Sequence, residues 1–226
     1  MNLQYQDYND EIISGDYFNI LIIEDTDFMY RFQKDIYLDL LKLSENFVLL
    51  ENNKKLKFDK VVEWLNSPWQ MSLNERKSLN ALHKNLAKRL VGVGQDTKII
   101  RKWLEIEDLI NEYIVHEDSI YISEDIPPLN KIIALADLRF EDNLEVDLID
   151  RIEDYLLAKV QYSDVRLFIL DNFSLLLKYR ELVELMEFSK REELYLLLLE
   201  NSLTTNLRNI SNCNMTIIDE DLCWIK

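Results

Sequence analysis

The stretch Asp164–Asn172, DVRLFILDN, decides how this chain is read. Five of the six residues from Val165 to Leu170 are apolar, and polar residues stand on both sides. So short and continuous an apolar run suits a strand buried on both faces, as in a parallel sheet covered by helices. Its counterpart lies in Phe18–Asp25, FNILIIED, where an acidic pair again follows an apolar run. Two such strands more than a hundred residues apart, in a chain of 226, predict one sheet with a segment inserted between them.

Length and composition fit that plan. A chain of this size holds one sizeable α/β domain plus an appendage. Hydrophobic residues make up 48% and charged residues 30%, enough for a core and a solvated surface. No apolar run approaches 18 residues and no basic-then-apolar signal opens the chain, which argues against membrane spanning and secretion. Cys213 and Cys223 read as reduced thiols of a cytoplasmic protein. With only three glycines and three prolines, most of the chain is regular structure, chiefly helix.

The net charge of −16 by itself argues against nucleic acid, but its distribution does not. From Asn74 to Lys102 there are eight basic residues against Glu75 and Asp96. From Trp103 to Lys159 there are sixteen acids against four bases. Adjacent segments of opposite sign suggest a face for a polyanion and another for cations. They are equally explained by neutralisation across a helical hairpin.

Outward from the two strands, residues 1–17 read as a ragged first strand or arm. Thr26 is positioned to cap a helix in which Phe28, Phe32, Ile36 and Leu40 recur every fourth residue. Phe47–Leu50 and Lys54–Phe58 flank Asn52-Asn53 as a short hairpin carrying Lys54, Lys55 and Lys57. From Phe58 the period becomes helical for about a hundred residues. Ser72 to Glu75 has the form of a capping box, and the helix after it ends at Gly92 and Gly94. The next helix sets Ile99, Trp103, Ile106, Ile110 and Tyr113 at four-three spacing, the pattern of a helix packed along another. Pro128 suits the first position of a short helix, and Leu144–Val160 forms another. Leu194–Leu199, Met215–Ile218 and Leu222–Ile225 complete the strands. The expectation is an α/β head with a mostly parallel sheet, residues 1–58 and 160–226, interrupted by an all-helical leg, residues 59–159.

Leu167–Asp171 has the strand-then-acid form of the Mg²⁺-binding strand in phosphate-loop NTPases. Such an enzyme also needs a Gly-rich loop whose amides close around phosphates, and glycines only at 15, 92 and 94 cannot form one. The head therefore resembles a degenerate nucleotide-binding fold. The two histidines, His83 and His116, neighbour no cysteine or regularly spaced acid, and a surface role is expected for both. Glu117, Asp118, Glu124 and Asp125, with Glu112 one helical turn back, form an acidic cluster whose oxygen ligands suit Ca²⁺. Its spacing does not match an EF-hand.

FNILIIEDTDFMYRFQKDIY, VRLFILDNFSLLLKYRELVELMEFSKREELYLLLLENS and TIIDEDLCWIK together resemble the type II-A CRISPR spacer-acquisition protein family. These are small ring-forming DNA-binding proteins encoded beside the effector nuclease. The resemblance lies in hydrophobic pattern and element order along the whole chain. It implies an α/β head, a helical leg, a homotetrameric ring, bound Ca²⁺, double-stranded DNA ends held inside the ring, and no enzymatic activity. By position, Glu117–Asp125 corresponds to the family's calcium region, and the lysines after Asn53 to a lysine-bearing segment. The DNA-contacting residues expected are Lys54, Lys55, Lys57, Lys84, Lys88 and Arg89; the partners implied are the integrase and effector nuclease of the same locus. Two rival readings are a phosphotransfer enzyme with an atypical nucleotide site and a helical protein-binding adaptor.

Overall fold

The computed structural model describes residues 1–6, 11–114, 126–141 and 145–225. Along the chain run β1 (Asn2–Tyr5), β2 (Glu11–Ser14), β3 (Phe18–Ile23), α1 (Thr26–Leu40), β4 (Phe47–Glu51), β5 (Lys54–Lys55), α2 (Phe58–Val61) and β6 (Val62–Leu65). Then come α3 (Arg76–Gly92), α4 (Asp96–Ile114), α5 (Leu129–Ala134) and α6 (Leu148–Tyr162). The chain closes with β7 (Leu167–Asp171), α7 (Tyr179–Arg191), β8 (Tyr195–Glu200), α8 (Thr205–Arg208), β9 (Asn214–Ile218) and β10 (Trp224–Ile225).

The two apolar runs lie in one sheet, with β8 between them. That six-stranded sheet has the order β10-β9-β3-β8-β7-β6, parallel throughout except for β10 on β9. Leu21, Ile23, Leu167, Ile169, Leu197 and Leu199 join one core cluster. The alternate residues Ile20, Ile22, Phe168, Leu170, Leu196 and Leu198 are buried as well, on the opposite face. Burial on both faces is why these strands read as unbroken apolar runs.

The described residues before β3 form two strands, β1 and β2, where one ragged strand or arm was expected. β2-β1-β4-β5 forms a second, antiparallel sheet, and its Tyr5 and Phe47 rings stack at 4.8 Å. Phe32 of α1 meets both edge-on, at 5.2 and 5.1 Å, and Phe58 stacks on Phe47 at 5.2 Å. Fully burying each large apolar side chain contributes roughly 2 kcal/mol. Asp25, not Thr26, caps α1: its carboxylate accepts from the Phe28 amide at 2.7 Å.

The chain divides into two compact units, Met1–Ser72 with Asn143–Lys226, and Leu73–Asp142. The helical unit is thus shorter than the expected 59–159. β6 is a strand where a helical period was expected, and α6 belongs with the sheets. Glu63 breaks the apolar run of β6, which hides the strand in the sequence. In the fold Glu63 accepts from the Tyr155 hydroxyl at 2.6 Å and pairs with Lys159 at 3.0 Å, both on α6. Lys159 is only 5% exposed, so α6 meets β6 through a largely buried ion pair.

In the helical unit, α3 packs chiefly along α5. Helix α3 starts at Arg76 with Glu75 at its N-cap position, three residues after the Ser72 cap that the sequence suggested. It ends in a Schellman motif: Gln95 N bonds Leu90 O at 2.9 Å and Gly94 N bonds Val91 O at 3.0 Å. Gly94 has φ +69°, which explains a glycine at that position. Asn74 holds Phe140 by two bonds, accepting from its amide at 2.9 Å and donating to its carbonyl at 3.1 Å. His83, expected at the surface, is buried, with Nε2 3.2 Å from the Leu138 carbonyl. Pro128 stands at the N-cap of α5, one position before that expected.

Candidate functional site

Two places in the sheet unit carry chemistry: the carboxyl end of the parallel strands, and the hairpin between β4 and β5.

At the first, Asp171 ends β7 and Glu200 ends β8, the strand beside it. Asp171 is 4% exposed. Its carboxylate accepts from Gln33 Nε2 at 2.8 Å, Trp64 Nε1 at 3.2 Å and Asn172 Nδ2 at 2.7 Å. Burial pushes this carboxyl up, and the three donors pull it part of the way back. Glu200 is 1% exposed and accepts from the Ser174 amide at 2.9 Å and the Ser174 hydroxyl at 2.6 Å. Burial pushes it up to about 7; the Ser174 bonds oppose the rise and the neighbouring Asp171 charge adds to it. The carboxyl end of a parallel sheet is where such folds bind ligands. Here both acids are committed to the protein's own donors. Gln33 and Trp64 around Asp171, and Ser174 beside Glu200, were not legible as their surroundings because they come from α1, β6 and the turn after β7.

At the second, Asn52 and Asn53 have φ +51° and +60°, as a two-residue hairpin turn requires, and they set Glu51 opposite Lys54. Lys54 and Lys55 form β5, and Lys57 is the N-cap of α2. A cleft of about 570 Å³ opens beside them, lined in part by Lys42, Lys55, Lys57 and Lys60. Lys55 pairs with Glu45 at 2.9 Å and Lys42 with Asp59 at 3.1 Å. Among the described residues, Lys54, Lys57 and Lys60 are exposed and have no ion-pair partner. Lys42 and Lys60 escaped the sequence reading; the spacing of Lys60, three residues after Lys57, was its one signal.

The remaining expected DNA contacts, Lys84, Lys88 and Arg89, are exposed on α3 and belong to the other unit. Glu112 is exposed near the end of α4. Glu117, Asp118, Glu124 and Asp125, and with them His116, lie outside the described residues. Among the described residues no group of three or more His, Cys, Asp or Glu is placed to hold a metal ion. No helix there is long and apolar enough to cross a membrane. Cys213 and Cys223 are free thiols, the second exposed.

A parallel-stranded α/β unit interrupted by a helical unit, with its strand-end acids tied up internally, defines a class of protein: a nucleotide-binding-like fold without a phosphate loop. The family described as CRISPR-associated protein (Cas_Csn2) matches residues 42–222, and the chain belongs to that family. The fold is also that of a solved protein, Stu0660 of Streptococcus thermophilus. The match is 13% identical with a TM-score of 0.65, and spans 97% of this chain and 74% of that one. No curated protein matches.

Proposed function

We propose that this chain is a non-catalytic DNA-binding protein of CRISPR spacer acquisition, cytoplasmic like the DNA it handles. In this reading a calcium-stabilised homotetrameric ring encloses double-stranded DNA ends and works with the integrase and effector nuclease of its locus. Membership of the Cas_Csn2 family supports the CRISPR association. The observation that carries DNA binding is the hairpin: in a chain of net charge −16, Lys54, Lys57 and Lys60 stand exposed and, among the described residues, without carboxylate partners. Such lysines contact phosphates without reading base sequence. Lys55 contributes once phosphate displaces Glu45, since exposed ion pairs are weak. The nucleotide-enzyme alternative has Asp171 in its favour by position, but that carboxylate already accepts three hydrogen bonds.

A gel shift of one plasmid before and after linearisation tests the reading. Threading through a ring predicts tight binding of the linear form and little of the closed circle. Equal affinity for both would leave the lysines on an open surface groove, and no binding of either at low salt would favour a protein-binding adaptor.

A further inference from the structure

The cleft beside the β4–β5 hairpin draws its lysines from three places in the chain. Lys42 follows α1, Lys55 belongs to β5, and Lys57 and Lys60 stand at the start of α2 and within it. Three carboxylates also line the cleft, and each already has partners. Asp39, buried, accepts from the Ser44 hydroxyl at 2.6 Å and from the Asn46 and Phe47 amides at 2.9 and 2.8 Å. Glu45 holds Lys55 and Asp59 holds Lys42. Lys57 and Lys60, exposed and without an ion-pair partner among the described residues, are the two positive charges left over.

Lys42 occupies a backbone position that ordinarily selects against lysine. Helix α1 ends in a Schellman motif: Lys42 N bonds Asp39 O at 3.1 Å and Leu43 N bonds Leu38 O at 2.9 Å. The first residue past the cap of such a motif is left-handed, and glycine or asparagine is usual there. Here it is Lys42, with φ +62°. Its side chain is 68% exposed and pairs with Asp59 of the cleft wall, so the packing of α1 does not require a lysine. A strained residue beside a cavity points to a use for its side chain.

We propose that this cleft binds a phosphomonoester: the terminal phosphate of a DNA strand, or a free ester of the same chemistry. A phosphomonoester carries a charge of about −1.5 to −2 at pH 7, which matches the two lysines left unpaired. An internal phosphodiester carries a single charge and has sugars on both sides, so it passes along a surface. A monoester is substituted on one side only and can enter a recess. The volume of about 570 Å³ falls within the roughly 300–1,000 Å³ of ligand pockets and suits a nucleotide-sized group. Leu56 and Phe58 give the wall an apolar part for the sugar. Lys42 and Lys55 neutralise Asp59 and Glu45, so the wall does not repel the anion. Each lysine ammonium is a point charge with three donors, able to meet a tetrahedral oxyanion from any side. The strand-end source rests on the DNA reading above; the free-ester source does not.

One blunt duplex, prepared with 5′-phosphate and with 5′-hydroxyl ends, tests this against the full chain at fixed salt. Phosphorylated ends should bind about tenfold more tightly. In Lys42→Gly that ratio should fall towards one, because Asp59 then faces the phosphate without its cation. This variant keeps the fold, since glycine is the residue that φ +62° favours. Lys57→Gln with Lys60→Gln should abolish the ratio as well. Calorimetry with deoxyribose 5-phosphate, and with deoxyribose as its control, needs no DNA and distinguishes the two sources. Binding of the sugar phosphate, lost in Lys42→Gly, together with equal affinity for both duplexes assigns the cleft to a free ester. Binding of the sugar phosphate but of neither duplex overturns the DNA reading and keeps the cleft. Equal affinity for both duplexes with no binding of the sugar phosphate overturns the proposal and leaves the DNA reading standing. A ratio that survives every substitution places the terminal phosphate elsewhere and overturns it too.

Discussion

Gln33 Nε2 donates to Asp171 Oδ2 at 2.8 Å, joining the helix after β3 to the acid that ends β7. Strand β8 lies between those two strands, so this bond spans the carboxyl end of the sheet where a phosphate loop would otherwise face an acid. Asp171→Leu leaves the Gln33 and Trp64 donors without their acceptor and should destabilise the protein by about 2–4 kcal/mol in urea unfolding. Asp171→Asn keeps an acceptor and should cost about 1 kcal/mol, with DNA binding unchanged. Neither the unmodified chain nor Asp171→Asn should show ATP turnover or a nucleotide-dependent melting shift. Turnover abolished by Asp171→Asn would establish the enzyme reading instead.

Glu200 has its pKa raised from 4.5 to about 7, so the folded state binds its proton more tightly than the unfolded state does. Its contribution to stability is therefore fully present below about pH 4.5 and is lost as pH rises through 7, a change on the order of 3 kcal/mol. Glu200→Gln can still meet both Ser174 groups without titrating. Unfolding at pH 5 and pH 8 should show the difference between variant and parent growing with pH in favour of the variant. A constant difference would place the carboxyl pKa near its ordinary value.

Lys159 and Glu63 fasten α6 to β6. Replacing Lys159 with Met leaves the Glu63 carboxylate half-covered and without its cation, and should destabilise by about 3 kcal/mol. Because Tyr155 still bonds Glu63, adding Glu63→Gln should recover part of that loss. The measurement is a double-mutant cycle, and a coupling energy near zero would mean the pair is only incidental to α6 docking.

For DNA, Lys54→Glu, Lys57→Glu and Lys60→Glu together should weaken binding to any sequence equally. The slope of log affinity against log salt should fall by about one for each phosphate no longer neutralised. All three side chains are exposed, so the melting temperature should hold. An unchanged salt slope would move phosphate binding elsewhere, with Lys84, Lys88 and Arg89 of α3 next to be tested.

Calcium should raise the melting temperature, by an amount equivalent to about 2.7 kcal/mol at a hundredfold excess over Kd. Chelation should reverse that gain and reduce the assembly mass. Identical melting and mass with calcium and with chelator would reduce the Glu117–Asp125 segment to solvated surface.

The strands of the parallel sheet were legible because burial on both faces writes itself as short unbroken apolar runs, as in Phe18–Ile23 and Leu167–Asp171. The Asn52-Asn53 turn and the stop at Gly94 were legible for a related reason: positive φ narrows the residue choice. Where a partner distant in sequence supplies the stabilisation, local pattern was silent. Strand β6 contains a charge that meets Tyr155 and Lys159 of α6, and His83 is buried with the Leu138 carbonyl beside its ring. The acid after β7 was visible from the start. That it is committed to Gln33, Trp64 and Asn172 depends on α1, β6 and β7 meeting at one end of the sheet. Hydrophobic period therefore determined the central strands and the long helices, because burial is a property of each segment's own face. Tertiary structure decided which polar groups were satisfied, because a hydrogen bond needs a partner that sequence distance does not disclose.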